Sequence, residues 1–522
     1  MENNMSLAGH PPKSISTKQK IASAIGLTGL FILLLALLNV DFPYKTLFLS
    51  LSIGLIIVGV VLYANDLYLN KPAGIKNDGV MFKSQTSRGL WAYILGIVFT
   101  LFYVVLYWYP EYLGLRQDAE NTGIIAFFDP LSRLISGQPA SQWFVYGTLY
   151  TLAILVFGYK FILKYRNNKY EVLRTYSVMF FQLGFAFLIP EILMRLNQPY
   201  FNPANIWPLN YDLFAGYKID GFLTAGTVGM FMLFFGIASI FVITPILTYK
   251  YGKRWYCSWV CGCGGLAETA GDPYRHLSDK SMFAWKVERW VVHSVLVFVV
   301  VMTIAVVYSY LGTNPDETWL TRGVFLWGAA GLLTLVFALI MIFKRHQLAK
   351  DAKYGAIGYL VIVLAIISIN YFSGDQRIFF FEGHKLREWY GFLIGAAFSG
   401  VIGVGAYPIF GNRVWCRFGC PMAAVLGMQQ RLFSKFRITT NGGQCISCGN
   451  CSTYCEMGID VRAYAQKGEN IIRSSCVGCG ICAAVCPRGV LKLENDNLKG
   501  RINSNDVLLG NDVDLMKLVN EK

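Results

Sequence analysis

Long apolar runs alternate with short polar connections over most of the chain, until hydropathy falls after Cys420. Runs of about 20 apolar residues, enough to cross a bilayer as a helix, occur near 21–40, 47–65, 89–109, 143–163, 175–195, 221–249, 290–311, 323–343, 356–373 and 392–411. The pattern predicts a polytopic α-helical membrane protein with about ten transmembrane helices and a small soluble domain at its C-terminal end. The first run follows Lys18 and Lys20, as the apolar part of a signal peptide would. It is longer than such a segment usually is and has no small-x-small cleavage pattern, so it reads as a helix. This divides the chain into N-terminal helices (1–240), a core membrane region (241–435), a soluble domain (436–495) and a polar tail (496–522).

Composition agrees with burial in lipid. Of 522 residues, 15% are charged, against about a quarter in soluble domains. The net charge of +15 would suit nucleic acid in a soluble protein, but here its placement decides. The N-terminus and the connections 66–88, 164–174, 250–289 and 344–355 hold about 22 Lys and Arg, and the alternate connections about nine. Basic connections stay on the cytoplasmic side. That predicts a multi-pass protein of the cytoplasmic (inner) membrane, with both termini and the soluble domain in the cytoplasm and no nucleic-acid partner. The opposite connections, 110–142 and 196–220, are rich in aromatics and Pro and are expected to fold over the outer mouth, either as interface anchors or as a lid over a partner or quinone site.

Thirteen cysteines bring in the chemistry, all in four clusters after residue 256. Clustering with C-x2-C spacing favours metal over disulfides. No CxxCH motif is present, and five histidines are too few for a multi-haem bundle. "CISCGNCSTYC" supplies Cys445, Cys448, Cys451 and Cys455, and "CVGCGICAAVCP" supplies Cys476, Cys479, Cys482 and Cys486. Both runs read C-x2-C-x2-C-x3-C, the bacterial two-cluster ferredoxin pattern, in which the fourth cysteine of each run serves the other cluster. One [4Fe–4S] cluster is therefore assigned to Cys445, Cys448, Cys451 and Cys486, and another to Cys476, Cys479, Cys482 and Cys455, in an α+β ferredoxin domain. Zinc would use paired knuckles with four ligands rather than two runs of four. Glu456 stands where Pro is expected after the first run, and removes no ligand.

The other two clusters repeat each other. "GKRWYCSWVCGCGG" and "GNRVWCRFGCPM" each set Gly five residues and Arg three residues before a cysteine, with a second cysteine four residues on. Cys257, Cys261, Cys416 and Cys420 are thus expected at the cytoplasmic ends of the sixth and tenth helices. There they would present four thiolates to a third iron–sulfur cluster or a soft ion such as Cu(I). Lys253, Arg254 and Arg413 would favour the thiolate form. The alternative is that these are small buried residues at tight loop contacts. Cys263 is a fifth thiol without an assigned role.

These two C-x3-C motifs, followed by a double ferredoxin module, resemble the NosR/NapH family of membrane polyferredoxins, which includes CcoG/RdxA/FixG-like proteins. The resemblance spans roughly residues 221–490. It implies electron transfer through iron–sulfur centres between a quinone pool, or a respiratory redox protein, and another acceptor, as in a quinol dehydrogenase component. Gly262 in place of Pro after Cys261, and the six preceding helices, depart from the simple family pattern. Two other readings stand beside it: a metallocentre-assembly factor or copper reductase using the C-x3-C thiols, and a transporter regulated by a ferredoxin domain. Lesser features are Glu191, which could pair with Arg195 or relay a proton, and His293, which could touch a quinone or simply pack. Pro245 and Pro408 are expected to kink the helices before the two loops.

Overall fold

The computed structural model describes residues 15–69, 88–116, 119–313, 320–348, 350–373 and 382–495, with the short strand pair Leu508–Leu509 and Val513–Asp514. The rest of the expected polar tail lies outside the described residues. Among them, nine helices are long and apolar enough to cross a membrane: Thr17–Leu37, Lys45–Tyr68, Leu90–Trp108, Gln142–Lys164, Lys169–Arg195, Thr227–Tyr251, Met282–Gly312, Arg322–Lys344 and Ala352–Ser373. The tenth expected span differs. Gly383–Tyr390 runs on as a π-helix, Gly391–Ile402, breaks at residues 403–406, and resumes for one turn at Tyr407–Phe410. Gly395, Gly400, Gly403 and Gly405 lower helix propensity there, and Pro408 cannot donate the next helical hydrogen bond.

The basic connections gather on one face. Ser16 caps the first helix and donates to Asp66 at 2.7 Å, and Arg166 donates to the Tyr68 carbonyl at 2.5 Å. Arg88 reaches the carbonyls of Leu277 and Ile409 at 2.6 and 2.8 Å, and Lys344 lies over the Phe433 ring. The soluble unit sits on the same face. Its strands Arg437–Thr440 and Leu491–Glu494 pair antiparallel, with Ile438 opposite Leu493. Two short helices, Asn450–Thr453 and Ile481–Ala484, pack together beneath them.

Both C-x3-C loops leave their helices through one backbone device. Gly252 (φ 69°, ψ −173°) and Gly411 (φ 96°, ψ 170°) occupy a region essentially closed to other residues. A Cβ would lie 2.6 Å from Phe436 Cβ at the first and 2.7 Å from Ser278 Oγ at the second. Each second cysteine then starts a helix, Cys261 before Gly262–Thr269 and Cys420 before Pro421–Phe433.

The first loop goes deeper than a membrane edge. A Cβ on Gly262 would lie 2.3 Å from Gln182 Oε1, and one on Gly265 2.2 Å from Val178 Cγ1. Both contacts are well inside the 27-residue fifth span. From the opposite face, the 196–215 connection descends into the bundle rather than covering its mouth. Tyr256 donates to the Ala204 carbonyl at 2.8 Å, and Trp207 Nε1 donates to Thr303 Oγ1 at 3.1 Å. The surrounding helices widen to admit these segments, with π-helical stretches at Phe181–Leu188, Ser239–Ile243 and Gly391–Ile402. Pro245 and Pro408 restart helix after such irregular stretches, so the expected kinks take this form.

Gly252→Ala and Gly411→Ala should each destabilise the protein by about 1–3 kcal/mol through backbone strain alone. Gly358→Ala, in the ninth span with open space around it, should leave the thermal unfolding midpoint unchanged. Equal midpoints for all three variants would show that the loops do not need this conformation.

Candidate functional site

The ferredoxin thiols separate into two sets. Cys445, Cys448, Cys451 and Cys486 line one cleft, with Pro487 and Arg462. Cys455, the fourth cysteine of the first run, lies instead among the second run. Burial first, then charge on Cys476 and Cys455, pushes the Cys482 thiol well up, and the Cys476 thiol rises to about 11, again mainly through burial. The fourth cysteine of each run therefore stands with the first three of the other. Cys448 is exposed, whereas Cys476 and Cys482 are buried.

The second run is tied to the first C-x3-C loop. Ser258, the residue after Cys257, donates to the Val477 carbonyl at 2.8 Å, and Tyr170 donates to the Gly478 carbonyl at 2.8 Å. Lys253 Nζ reaches the Ser474 carbonyl at 3.3 Å. Gln430 accepts from the Lys253 amide at 2.7 Å and donates to the carbonyls of Arg473 and Cys476, each at 2.8 Å. Arg254 does not face the thiols; it stacks over Phe436 and Tyr170.

Cys257, Cys261, Cys416 and Cys420 are all buried in one apolar cluster, with Cys263 packed against it. Arg413 Nη1 donates to Cys416 Sγ at 3.5 Å and to the Cys257 carbonyl at 3.4 Å. The expected cationic activation is overruled by burial, which holds the Cys257 thiol up at about 12 although Lys253 and Arg413 pull it down. Burial likewise raises Cys416 and Cys420. Only Cys261 is drawn down, chiefly by the neighbouring Cys263 thiol. That contact gives Cys263 a place, though its sequence spacing offered no assignment. Holding a metal centre here would require these buried thiols to release protons.

Among the described residues, the one group of three His, Cys, Asp or Glu donors within 4.8 Å of one another is Glu268, Glu456 and Cys479.

The two carboxylates of that group already hold guanidiniums. Glu456 accepts from Arg275 at 2.7 Å, Arg413 at 2.9 Å and Asn412 at 3.1 Å. Arg413 also binds Glu268, which binds Arg174, which binds Glu171. Arg275 continues to Asp272, and Asp272 to Lys164 at 2.5 Å. All eight charged residues are buried, four of each sign. Sequence reading passed over this network; its only signal was Glu456 standing in place of Pro.

Two lesser candidates make local contacts. Arg195 donates to the Leu134 carbonyl instead of pairing with Glu191. His293 Nδ1 donates to the Arg289 carbonyl of its own helix at 2.5 Å.

Comparison with known families agrees with this geometry. Residues 437–487 match the 4Fe-4S dicluster domain family, so the soluble unit is a 4Fe–4S ferredoxin domain. Residues 232–281 and 393–439, which contain the two C-x3-C loops, match the 4Fe-4S binding domain family. The chain is 27% identical over 103 residues to a protein of Escherichia coli K12 named "Putative electron transport protein YccM", covering 20% of this chain and 28% of that one. It is 27% identical over 171 residues to an uncharacterized protein of Methanocaldococcus jannaschii, covering 32% and 61% respectively. The matches thus cover less than two thirds of either relative, 28% and 61%. No solved structure matches it.

Glu456→Gln removes the charge shared by Arg275 and Arg413, and an unpaired buried charge costs about 3–5 kcal/mol. Amide exchange in 474–480 should accelerate at least tenfold, while exchange within the first two spans stays unchanged. Unchanged exchange at 474–480 would mean that the network does not hold the ferredoxin domain in place.

Proposed function

We propose that the protein is a membrane-bound iron–sulfur electron carrier, passing electrons between a quinone pool or membrane redox partner and a cytoplasmic-face ferredoxin module. The observation that carries this reading is the order of the thiols. Exposed Cys448 opens the first set to a soluble partner, the second set lies beneath it, and hydrogen bonds from Ser258 and Lys253 join that second set to the buried C-x3-C loops. Cys445, Cys448, Cys451 and Cys486 would hold one [4Fe–4S] cluster, and Cys476, Cys479, Cys482 and Cys455 the second. Cys257, Cys261, Cys416 and Cys420 would hold a third iron–sulfur centre within the bundle. Such clusters exchange single electrons at potentials set by charge, hydrogen bonding and solvent exposure.

The chain's own residues supply those conditions. The apolar cluster around the C-x3-C thiols excludes water. Arg413 places a hydrogen-bond donor and a positive charge beside Cys416. Gln430 and Lys253 fix the second run relative to the first loop. The basic face bearing the ferredoxin unit is cytoplasmic on this reading, following the rule that Lys and Arg remain inside. The copper-handling alternative would place a soft ion on the same loop thiols.

Iron analysis tests the assignment. Anaerobically purified protein should contain about twelve irons per chain, falling to about eight in a Cys257→Ser, Cys416→Ser double variant, as three and two [4Fe–4S] clusters require. About eight irons in both forms would remove the third centre and leave the loops a structural role.

A further inference from the structure

The outward cleft of the ferredoxin domain has a charged rim that the electron-carrier reading does not use. Arg462 and Arg488 wall the cleft of the first thiol set, and among the described residues no Asp or Glu lines it. Both arginines are exposed, and neither guanidinium has a hydrogen-bond or ion-pair partner among the described residues. The buried arginines of this chain differ: Arg174, Arg275 and Arg413 are each held by carboxylates. Arg462 Nη1 lies above Gly449, 3.9 Å from where a Cβ would stand. Positive charge is thus left free directly beside the first cysteine run.

An apolar side chain stands in the same surface. Ile446 is 56% exposed, which alone would be ordinary. Here the backbone holds it in place. Ser447, the next residue, has φ 58°, in the left-handed region that residues other than glycine rarely adopt. Gln466 Nε2 donates to Ser447 Oγ at 2.8 Å, and Gln466 lies one turn after Arg462 in the helix Val461–Lys467. One short helix therefore carries Arg462 and fixes the loop that bears Ile446 and exposed Cys448.

The geometry points to this rim as the docking face for a small acidic electron-transfer protein. Three observations select that partner. Two free guanidiniums with no carboxylate between them attract carboxylates, which arginine holds through paired hydrogen bonds. Cys448 brings a ligand of the proposed first cluster to the surface, so a protein seated here meets the electron at its nearest point. The patch is also small. One apolar side chain within a charged rim suits the brief encounters of electron carriers, which bury less than about 1,200 Å². A permanent subunit would need a broader apolar surface. In the encounter one electron crosses between the partner's centre and the first cluster; one is oxidised, the other reduced, and no bond or proton moves. Offsetting cluster charge is a poorer use for these arginines, because water and salt screen exposed charges. Their field still steers an oppositely charged protein.

This inference rests on the reading of the chain as an electron carrier, and the test separates the two. The cluster-loaded protein in phosphatidylcholine nanodiscs is titrated with a plant-type [2Fe–2S] ferredoxin, an acidic one-electron carrier. Binding is followed by biolayer interferometry at low and high salt. Arg462→Glu with Arg488→Glu should weaken low-salt binding at least tenfold and leave the cluster potentials unchanged. Ile446→Ser should weaken binding several-fold at every salt concentration. Lys18→Glu with Lys20→Glu makes the same charge change at exposed residues outside the ferredoxin domain, and should leave binding unchanged. Binding that survives the arginine reversals, or falls equally with the lysine reversals, would overturn this face and leave the carrier reading intact. Shifted cluster potentials with unchanged binding would also overturn it, and make the arginines charge compensation. Clusters that neither the reduced ferredoxin nor reduced methyl viologen can reduce would overturn both readings.

Discussion

Glu456 is the point on which the arrangement turns. One carboxylate holds Arg275 from the first C-x3-C segment and Arg413 from the second, and it stands beside Cys455 of the ferredoxin domain. Three parts of the chain, far apart in sequence, are brought to one position by two charge-assisted hydrogen-bond pairs. Burying so many ions is not a route to stability. Desolvation costs several kcal/mol per ion, and well-packed apolar side chains often do as well. What the network contributes is specificity, because an unpaired member in any other docking arrangement would be costly. For a protein whose thiols must lie in a fixed order, that is the more useful property.

A second constraint is space. Two polar, cysteine-bearing loops and an aromatic connection from the opposite face enter the bundle, and regular helices packed side by side leave no room for them. The π-helical stretches in the fifth, sixth and last helices enlarge the interior where the loops arrive. Non-helical backbone at membrane depth survives only when other protein satisfies its polar groups. Tyr256 meets the Ala204 carbonyl, Ser177 the Trp259 carbonyl, and Asn412 the Ala267 carbonyl. Depth, irregular helices and side-chain hydrogen bonds are one solution to one problem.

This division also explains what could be read from the sequence. Nine spans were legible because about 20 consecutive apolar residues leave few alternatives in lipid. The two thiol sets were legible because C-x2-C-x2-C-x3-C fixes local geometry within a few residues, and the repeat of Gly252 and Gly411 was visible because a special backbone conformation restricts residue type. The tenth apolar run is displaced from the expected 392–411: its helix runs from Gly383 to Ile402 and breaks at 403–406, where glycines and Pro408 interrupt a sequence whose hydropathy continues. Arg254 was assigned to the thiols on spacing alone, but a long side chain goes where an aromatic face receives it, here Phe436 and Tyr170.

The network around Glu456 and the descent of residues 201–213 were illegible for a deeper reason. Both depend on contacts between segments hundreds or dozens of residues apart, and neither has a local period or motif. Glu456 did leave a trace, as a charged residue where the ferredoxin pattern expects Pro. A buried acid beside a proposed ligand cannot be neutral to its surroundings: without Arg275 and Arg413 its charge would raise the neighbouring thiols and oppose the negative charge of a thiolate-bound centre. With them, the local charge is balanced, and Arg413 still has a donor left for Cys416. The departure from the pattern is thus accounted for by the membrane-embedded half of the chain, which an isolated ferredoxin does not have.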